Sequence, residues 1–409
     1  MIDEILKARP FISRPIYTER IKPFIDKEII KVISGQRRVG KSYILFQLIT
    51  EIKQENPQAN IIYINKELKP HEDITDDTRL YQYVKDNLQS GTKNYLFIDE
   101  IQEIEHFEKA IRSLLVENCC DIFCSGSNAN MLSGELATFL AGRYIEFTIH
   151  SLGYDEFLQF FQLENSSESL NKYLTIGGMP YLKVIGLEEF SVFEYLRSVY
   201  STILLKDVVA REGIRNIQFL ENLIDYLADN VGNLFSASNI AKYLKSQRST
   251  VSTQTVLNYL KPLTQAFFIY KVPRYDISGL KIFEVGEKYY FEDIGLRNCI
   301  RGFDQRKDIN KVMENVVYLH LLRQGYKVFI GQLGNSEIDF VAEKDGKCIY
   351  VQVSYMLVDE NTVNREFENL LKIGDNYPKY VVTMDEYNAG SNFNGIEQVH
   401  LKDFLLTNF

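Results

Sequence analysis

The stretch that decides the fold is EIIKVIS-GQRRVGKS-YILFQLITEIKQ, residues 28–54. It begins with an apolar run of strand length and ends with apolar spacing of a helix. Between them, residues 35–42 match G-x-x-x-x-G-K-[ST] in the strand–turn–helix setting that this motif needs. Gly35 and Gly40 let the backbone wrap tightly, so that amide N–H groups point inward. The helix that starts near Lys41 adds its positive end. Such a loop cradles phosphates. Lys41 is placed to reach the β- and γ-phosphates of ATP, and Ser42 to ligate Mg2+. Gln36, Arg37, Arg38 and Val39 complete the loop. Arg37 and Arg38 either touch the nucleotide or cap the sheet edge, and the sequence does not choose between these roles.

Working outward, NIIYIN (60–65), NYLFID (94–99), CDIFCSGS (120–127) and RYIEFTI (143–149) read as further strands, with helices near 78–90 and at FEKAIRSLLVEN (107–118). Strands alternating with helices imply a parallel sheet, and residues 1–150 form one α/β region. YLFIDE (95–100) is a second motif: its apolar residues bury a strand and deliver Asp99 to the C-terminal edge, where ligands of such sheets bind. Asp99 is the expected Mg2+ holder through water. Glu100 is the expected group that polarises the attacking water. The alternative reading of this Asp-Glu pair is a polar strand end.

Taken together, GQRRVGKS, LFIDEIQ, CSGSNANML and LAGRYIEF resemble a large prokaryotic family of AAA+-related P-loop ATPases with an extra, uncharacterised C-terminal domain. GGMP (177–180), LLKDVV (204–209), YYFEDIGLRN (289–298) and ENVVYLHL (314–321) extend the resemblance over nearly the whole chain. It implies an ASCE-type core in which Ser127 or Asn128 senses the γ-phosphate. It also implies that Arg143 acts as an arginine finger or nucleotide sensor, in cis or in trans. The plainer readings are a helix-capping turn residue for Asn128 and a surface arginine for Arg143.

The 409 residues, 45% hydrophobic, suffice for two or three domains. A net charge of −9 argues against a chain that coats nucleic acid along its whole surface. Five cysteines without paired spacing (119, 120, 124, 299, 348) argue against a disulfide framework and a zinc site. No apolar run reaches the ~18–20 residues of a membrane span. MIDEILKARPF lacks a signal-peptide core, so a cytoplasmic setting is expected.

Helices dominate from 151 to 232, a lid-like region. Residues 234–283 then carry seven Lys/Arg against one acid, Asp276. SASNIAKYLKS and STVSTQTVLNYLKPL read as two short helices; QAFFIYKVPRY and KIFEVGEKYYFED read as a two-stranded wing. Residues 233–300 thus look like a winged helix-turn-helix. Thr253, Gln254 and Asn258 are candidates for base edges, and Lys242, Lys245 and Arg248 for DNA phosphates. The alternative is a module that packs as a lid or protein contact. Residues 301–409 resemble the PD-(D/E)XK nuclease fold, with Glu314 on a helix and Asp339 on a strand. Gln352 stands where that site needs Glu, and Ser354 where it needs Lys. A neutral amide is a weak Mg2+ ligand and a hydroxyl supplies no cation, so the nuclease chemistry is expected to be lost. Three functions stay open: an ATPase that moves a DNA-bound winged helix, with a homo-oligomer among its candidate partners; a slow nucleotide-gated switch for protein partners; and a nuclease-linked defence or mobile-element protein.

Overall fold

Ile30–Ser34 (β1) is buried along its whole length, because parallel strands flank it on both sides. The computed structural model describes residues 11–129, 142–246, 252–279, 281–282, 286–356, 360–386 and 389–409. The chain divides into two compact units. One comprises residues up to Ile149 with 265–267; the other comprises His150–Thr264 and Phe268–Phe409.

In the first unit, Pro15–Ile21 (α1) precedes β1, and Lys41–Glu55 (α2) follows the glycine loop. Next come Asn60–Asn65 (β2), Asp77–Asn87 (α3), Asn94–Asp99 (β3), Phe107–Val116 (α4), Asp121–Gly126 (β4) and Tyr144–Thr148 (β5). The sheet is parallel, in the order β2-β3-β4-β1-β5. Side chains alternate between its faces. Ile30, Val32, Ile62, Ile64, Leu96 and Ile98 pack with Leu80, Val84 and Ile111 in one core. Ile33, Tyr63, Phe97 and Phe123 pack with Ile44, Leu48, Ile49 and Ile52 in the other. Both faces are covered, which is why the strands read as unbroken apolar runs. β1 and β5 run in register from Ile30↔Tyr144 to Ser34↔Thr148.

The second unit opens with helices: Tyr154–Phe161 (α5), Ser167–Ile176 (α6), Leu182–Ile185 (α7), Glu189–Thr202 (α8) and Ile217–Asp229 (α9). LLKDVV lies in a π-helical stretch, Ile203–Ala210. Ala237–Ser246 (α10) and Thr253–Gln265 (α11) follow, then Ile269–Val272 (β6), Arg274–Asp276 (β7), Lys281–Ile282 (β8) and Lys288–Phe291 (β9). The two expected wing segments do pair antiparallel, in two parts. β6 pairs antiparallel with β9, whereas β7 and β8 pair with each other and β7 joins the C-terminal sheet. Pro273 separates β6 from β7 and has no N–H for a ladder; its carbonyl accepts instead from Ile330 N at 3.0 Å.

Two family signatures form one joint. Gly178 N donates to Asp293 Oδ2 at 2.8 Å, and Asp293 Oδ1 caps Ile294–Arg301 (α12) through Leu296 N at 3.0 Å. A Cβ on Gly177 would lie 2.4 Å from Gly295 N, so the GGMP and EDIGLRN segments touch through glycine. Gln305–Arg323 (α13), Lys327–Leu333 (β10), Ser336–Lys344 (β11), Lys347–Val353 (β12), Glu360–Leu371 (α14) and Lys379–Thr383 (β13) come next. Asn392–Phe393 (β14), Ile396–His400 (β15) and Leu401–Phe404 (α15) end the chain. Their sheet has the order β14-β15-β13-β12-β11-β10-β7-β8. β10, β11 and β12 are antiparallel neighbours, and β12 and β13 are parallel.

Candidate functional site

The loop 35–40 turns on positive φ at Gly35 (140°), Arg38 (74°) and Gly40 (99°). Glycine is required at 35 by close approach as well, since a Cβ there would lie 2.2 Å from the Ile149 carbonyl oxygen. Lys41 is 4% exposed, and its Nζ donates to the carbonyls of Gly35 and Gln36, each at 3.0 Å. The ammonium is therefore folded back over the loop, on neutral acceptors. Arg37 is buried, with its guanidinium 3.2 Å from Glu67 Oε1, while Arg38 is exposed. The Gln36 side chain is fully buried, and neither polar atom of its amide has a hydrogen-bond partner among the described residues.

Asp99 ends β3 beside this loop and is 1% exposed. Ser125 Oγ donates to its Oδ1, while Tyr63 OH and Asn65 Nδ2 each lie 3.3 Å from its Oδ2. Burial pushes the Asp99 carboxyl above the ordinary range, against hydrogen bonds from Ser125 and Ser42 and the field of Lys41. The Ser42 hydroxyl and the Asp99 carboxylate thus already meet. They are hard oxygen donors of the kind Mg2+ prefers, and they fit that ion. Glu100 has left-handed backbone (φ 58°, ψ 51°), which turns its side chain out of the strand's alternation. Its carboxylate accepts from Gln102 Nε2 and, at 3.4 Å, from Ser127 Oγ.

Lys41, Ser42, Asp99, Glu100 and Ser127 are therefore brought together, and Asn128 follows Ser127 off the same strand end. Tyr63, Asn65, Ser125 and Gln102 join them without having been singled out from sequence. One signal was available: Tyr63 and Asn65 alternate onto one face at the C-terminal end of an apolar strand. Arg143 lies elsewhere. It is exposed and directly precedes β5, and its carbonyl accepts from Ile30 N at 3.0 Å at the start of β1. The glycine loop leaves the other end of β1, a strand length of about 16 Å away at ~3.3 Å per residue. The structure does not bring Arg143 to the nucleotide loop of its own chain.

In the second unit, Thr253, Gln254 and Asn258 are exposed on α11, with Gln254 Nε2 3.0 Å from Asn258 Oδ1, and Lys242 is exposed on α10. Arg248 and the Lys245 side chain lie outside the described residues. The cation-rich stretch is not one surface: Lys271 pairs with Glu287 at 3.1 Å, and Arg274 bonds Gln332 in the C-terminal sheet.

The C-terminal sheet brings Asp339 and Gln352 together: Asp339 N donates to Gln352 Oε1 at 3.2 Å, and Gln352 Nε2 to Glu366 Oε2 at 2.8 Å. Asn310, Glu337, Asp339, Gln352, Ser354 and Glu366 are among the lining of a cavity of about 330 Å³. A buried cation from outside 301–409 stands beside these acids. Lys288, at the start of β9, is 3% exposed, with Nζ 2.8 Å from Glu314, 2.9 Å from Glu337 and 3.6 Å from Asp339. Burial opposes its charge, but the three carboxylates outweigh burial and hold its pKa above the ordinary lysine value. Burial, with Glu314 beside it, pushes Asp339 up to about 8. Among the described residues, no group of three or more His, Cys, Asp or Glu is placed to hold a metal ion.

The parallel sheet and its glycine loop define a P-loop protein of the AAA-related class. Residues 27–158 match the family described as "AAA domain", and residues 167–307 match a domain of unknown function, DUF8612. An uncharacterised protein of Haemophilus influenzae is 38% identical over 405 residues, covering 98% of this chain and 100% of that one. The uncharacterised protein MJ1544 of Methanocaldococcus jannaschii is 32% identical over 389 residues, covering 89% and 81%. The chain belongs to the family of these two proteins. The Walker-type ATPase PABY2304 of Pyrococcus abyssi has a similar fold, with a TM-score of 0.51 at 14% identity over 73% of this chain and 99% of that one. Among the described residues, no helix is long and apolar enough to cross a membrane.

Proposed function

We propose that this protein binds ATP with Mg2+ and hydrolyses it at the loop 35–42. The observation that carries this reading is the convergence of Lys41, Ser42, Asp99 and Glu100 at one sheet edge. The backbone N–H groups of the loop and the N-terminus of α2 bind the phosphates. Lys41 exchanges two neutral carbonyls for anionic phosphate oxygens, and hydrogen bonds to charged acceptors are about twice as strong. Ser42 and Asp99 hold Mg2+, which when bound neutralises charge on the phosphates. Glu100 polarises the attacking water once it leaves Gln102 and Ser127. Ser127 or Asn128, which follow β4 at this edge, is the candidate γ-phosphate sensor. Strand β4 lies between β1 and β3, which supports the ASCE assignment.

Arg143 stands at the far sheet edge, so a finger role for it is in trans, in a homo-oligomer. The helix pair α10–α11 followed by the β6–β9 pair supports a winged helix over 233–300, with DNA as the partner. The order α13-β10-β11-β12-α14-β13 supports a nuclease-like fold over 301–409 without nuclease activity. A second reading, a slow nucleotide-gated switch that acts on protein partners, is favoured by the tether on Glu100.

The test is ATP binding and turnover in two variants. Lys41→Ala is expected to lose ATP binding. Glu100→Gln is expected to bind ATP and slow its hydrolysis by about 10²–10⁴, the usual range for a general base. Wild-type turnover in Glu100→Gln removes the assignment. Mixing Arg143→Ala with Lys41→Ala protein restores activity if the arginine acts in trans.

A further inference from the structure

Arg14 lies ahead of α1, outside every motif, yet it is 2% exposed. Its NH1 donates to the Val39 carbonyl of the glycine loop at 2.8 Å. Its backbone N–H donates to Gln47 Oε1 on α2 at 2.9 Å, and its guanidinium lies 4.7 Å from the centre of the buried Tyr17 ring. The arginine is thus held from two sides before it meets the loop.

The Val39 carbonyl shares one rigid peptide plane with the Gly40 N–H, and the two point in opposite directions. Gly40 sits at φ 99° and, as glycine, accepts either sign of φ, so this plane is free to turn over. Arg38, at φ 74°, stands just ahead of Val39 in the same tight turn. A guanidinium that grips the Val39 oxygen fixes the plane and with it the direction of the Gly40 N–H. In a loop that binds anions through backbone N–H groups, that direction sets affinity.

We propose that Arg14 is a positioning residue of the nucleotide site, which pins the Val39–Gly40 peptide so that the Gly40 N–H faces the phosphates. This rests on the reading of 35–42 as an ATP site. Arg14 acts through the loop and does not itself touch the nucleotide. Lysine does not replace it well, because the planar fork both stacks on Tyr17 and reaches the carbonyl.

The experiment compares wild type, R14A, R14K and K41A for ATP and ADP affinity, with the unfolding temperature of each. R14A is expected to bind both nucleotides about tenfold to a hundredfold more weakly, the range for one charge-assisted hydrogen bond, with added guanidinium ion restoring part of the loss. R14K keeps the charge and the stem, so it remains informative if R14A does not fold. In R14K the ³¹P resonance of the β-phosphate of bound ADP is expected to move while that of the α-phosphate stays, which a merely structural role would not produce. If R14A and R14K bind ATP like wild type while K41A has lost it, the positioning role is overturned. If K41A also binds like wild type, the ATP-site reading itself has failed.

Discussion

Lys41, at the start of α2, and Lys288, at the start of β9, are both almost fully buried near acidic residues, yet their closest partners differ in kind. Lys41 rests on two backbone carbonyls, which carry no net charge. Lys288 rests among Glu314, Glu337 and Asp339, which more than match its charge. The first ammonium is held by backbone oxygens and lies within the field of Asp99, at the loop that would receive an anion. The second is already neutralised, and its carboxylates are committed to it. A buried lysine beside acids is therefore not one feature. The partner decides whether it serves a ligand or the fold.

The largest expected effect breaks this contrast directly. Lys288→Met leaves the Glu314 and Glu337 carboxylates without their cation beside the buried Asp339, and it should cost about 3–5 kcal/mol of stability in urea unfolding. Lys41→Met removes two bonds to neutral carbonyls and a favourable field on Asp99, whose burial already favours its neutral form, and should cost less, about 1–2 kcal/mol. Equal losses in the two variants would erase the distinction.

The next prediction sharpens it through pH. Asp339 has a folded pKa of about 8 against an ordinary 3.8, so the folded form holds the proton more tightly than the unfolded chain. Stability should therefore fall as pH rises from 3.8 through about 8 and level off above. Asp339→Asn should flatten that part of the profile. An unchanged slope in Asp339→Asn would mean that the titrating group lies elsewhere. In the same preparations, Mg2+ or Mn2+ with supercoiled plasmid should give no nicking, and Glu314→Ala should leave ATP turnover unchanged. Nicking lost in Asp339→Ala would place a working metal site among these carboxylates.

The smallest effect concerns a third kind of lysine, the exposed Lys242. Lys242→Glu together with Lys245→Glu and Arg248→Glu should abolish DNA binding and spare basal ATP turnover. For the wild type, log affinity should fall linearly with log salt, with a slope near −0.9 per phosphate contact. Binding that ignores salt, or no binding to any DNA, would move this module to a protein contact.

The sequence by itself determined the glycine loop, the strand that carries Asp99 and Glu100, and the helix that begins at Lys41. Each is contiguous, and local backbone geometry sets its meaning: two glycines, a lysine and a serine in eight residues admit few other conformations. The strand alternation of Tyr63 and Asn65 was legible too, but nothing local said which face would meet Asp99. Tertiary structure decided that, because the order β2-β3-β4-β1-β5 sets β3 between β2 and β4 and so brings Asn65 and Ser125 to Asp99 from either side. It also decided that Arg143 stands at the far edge and that the wing divides at Pro273. Lys288 lies 26 residues before Glu314. No local pattern marks a lysine as the counter-ion of acids on another helix and strand. A short-range motif fixes its own backbone, whereas a charge pair across the chain exists only after folding has closed the loop between its members.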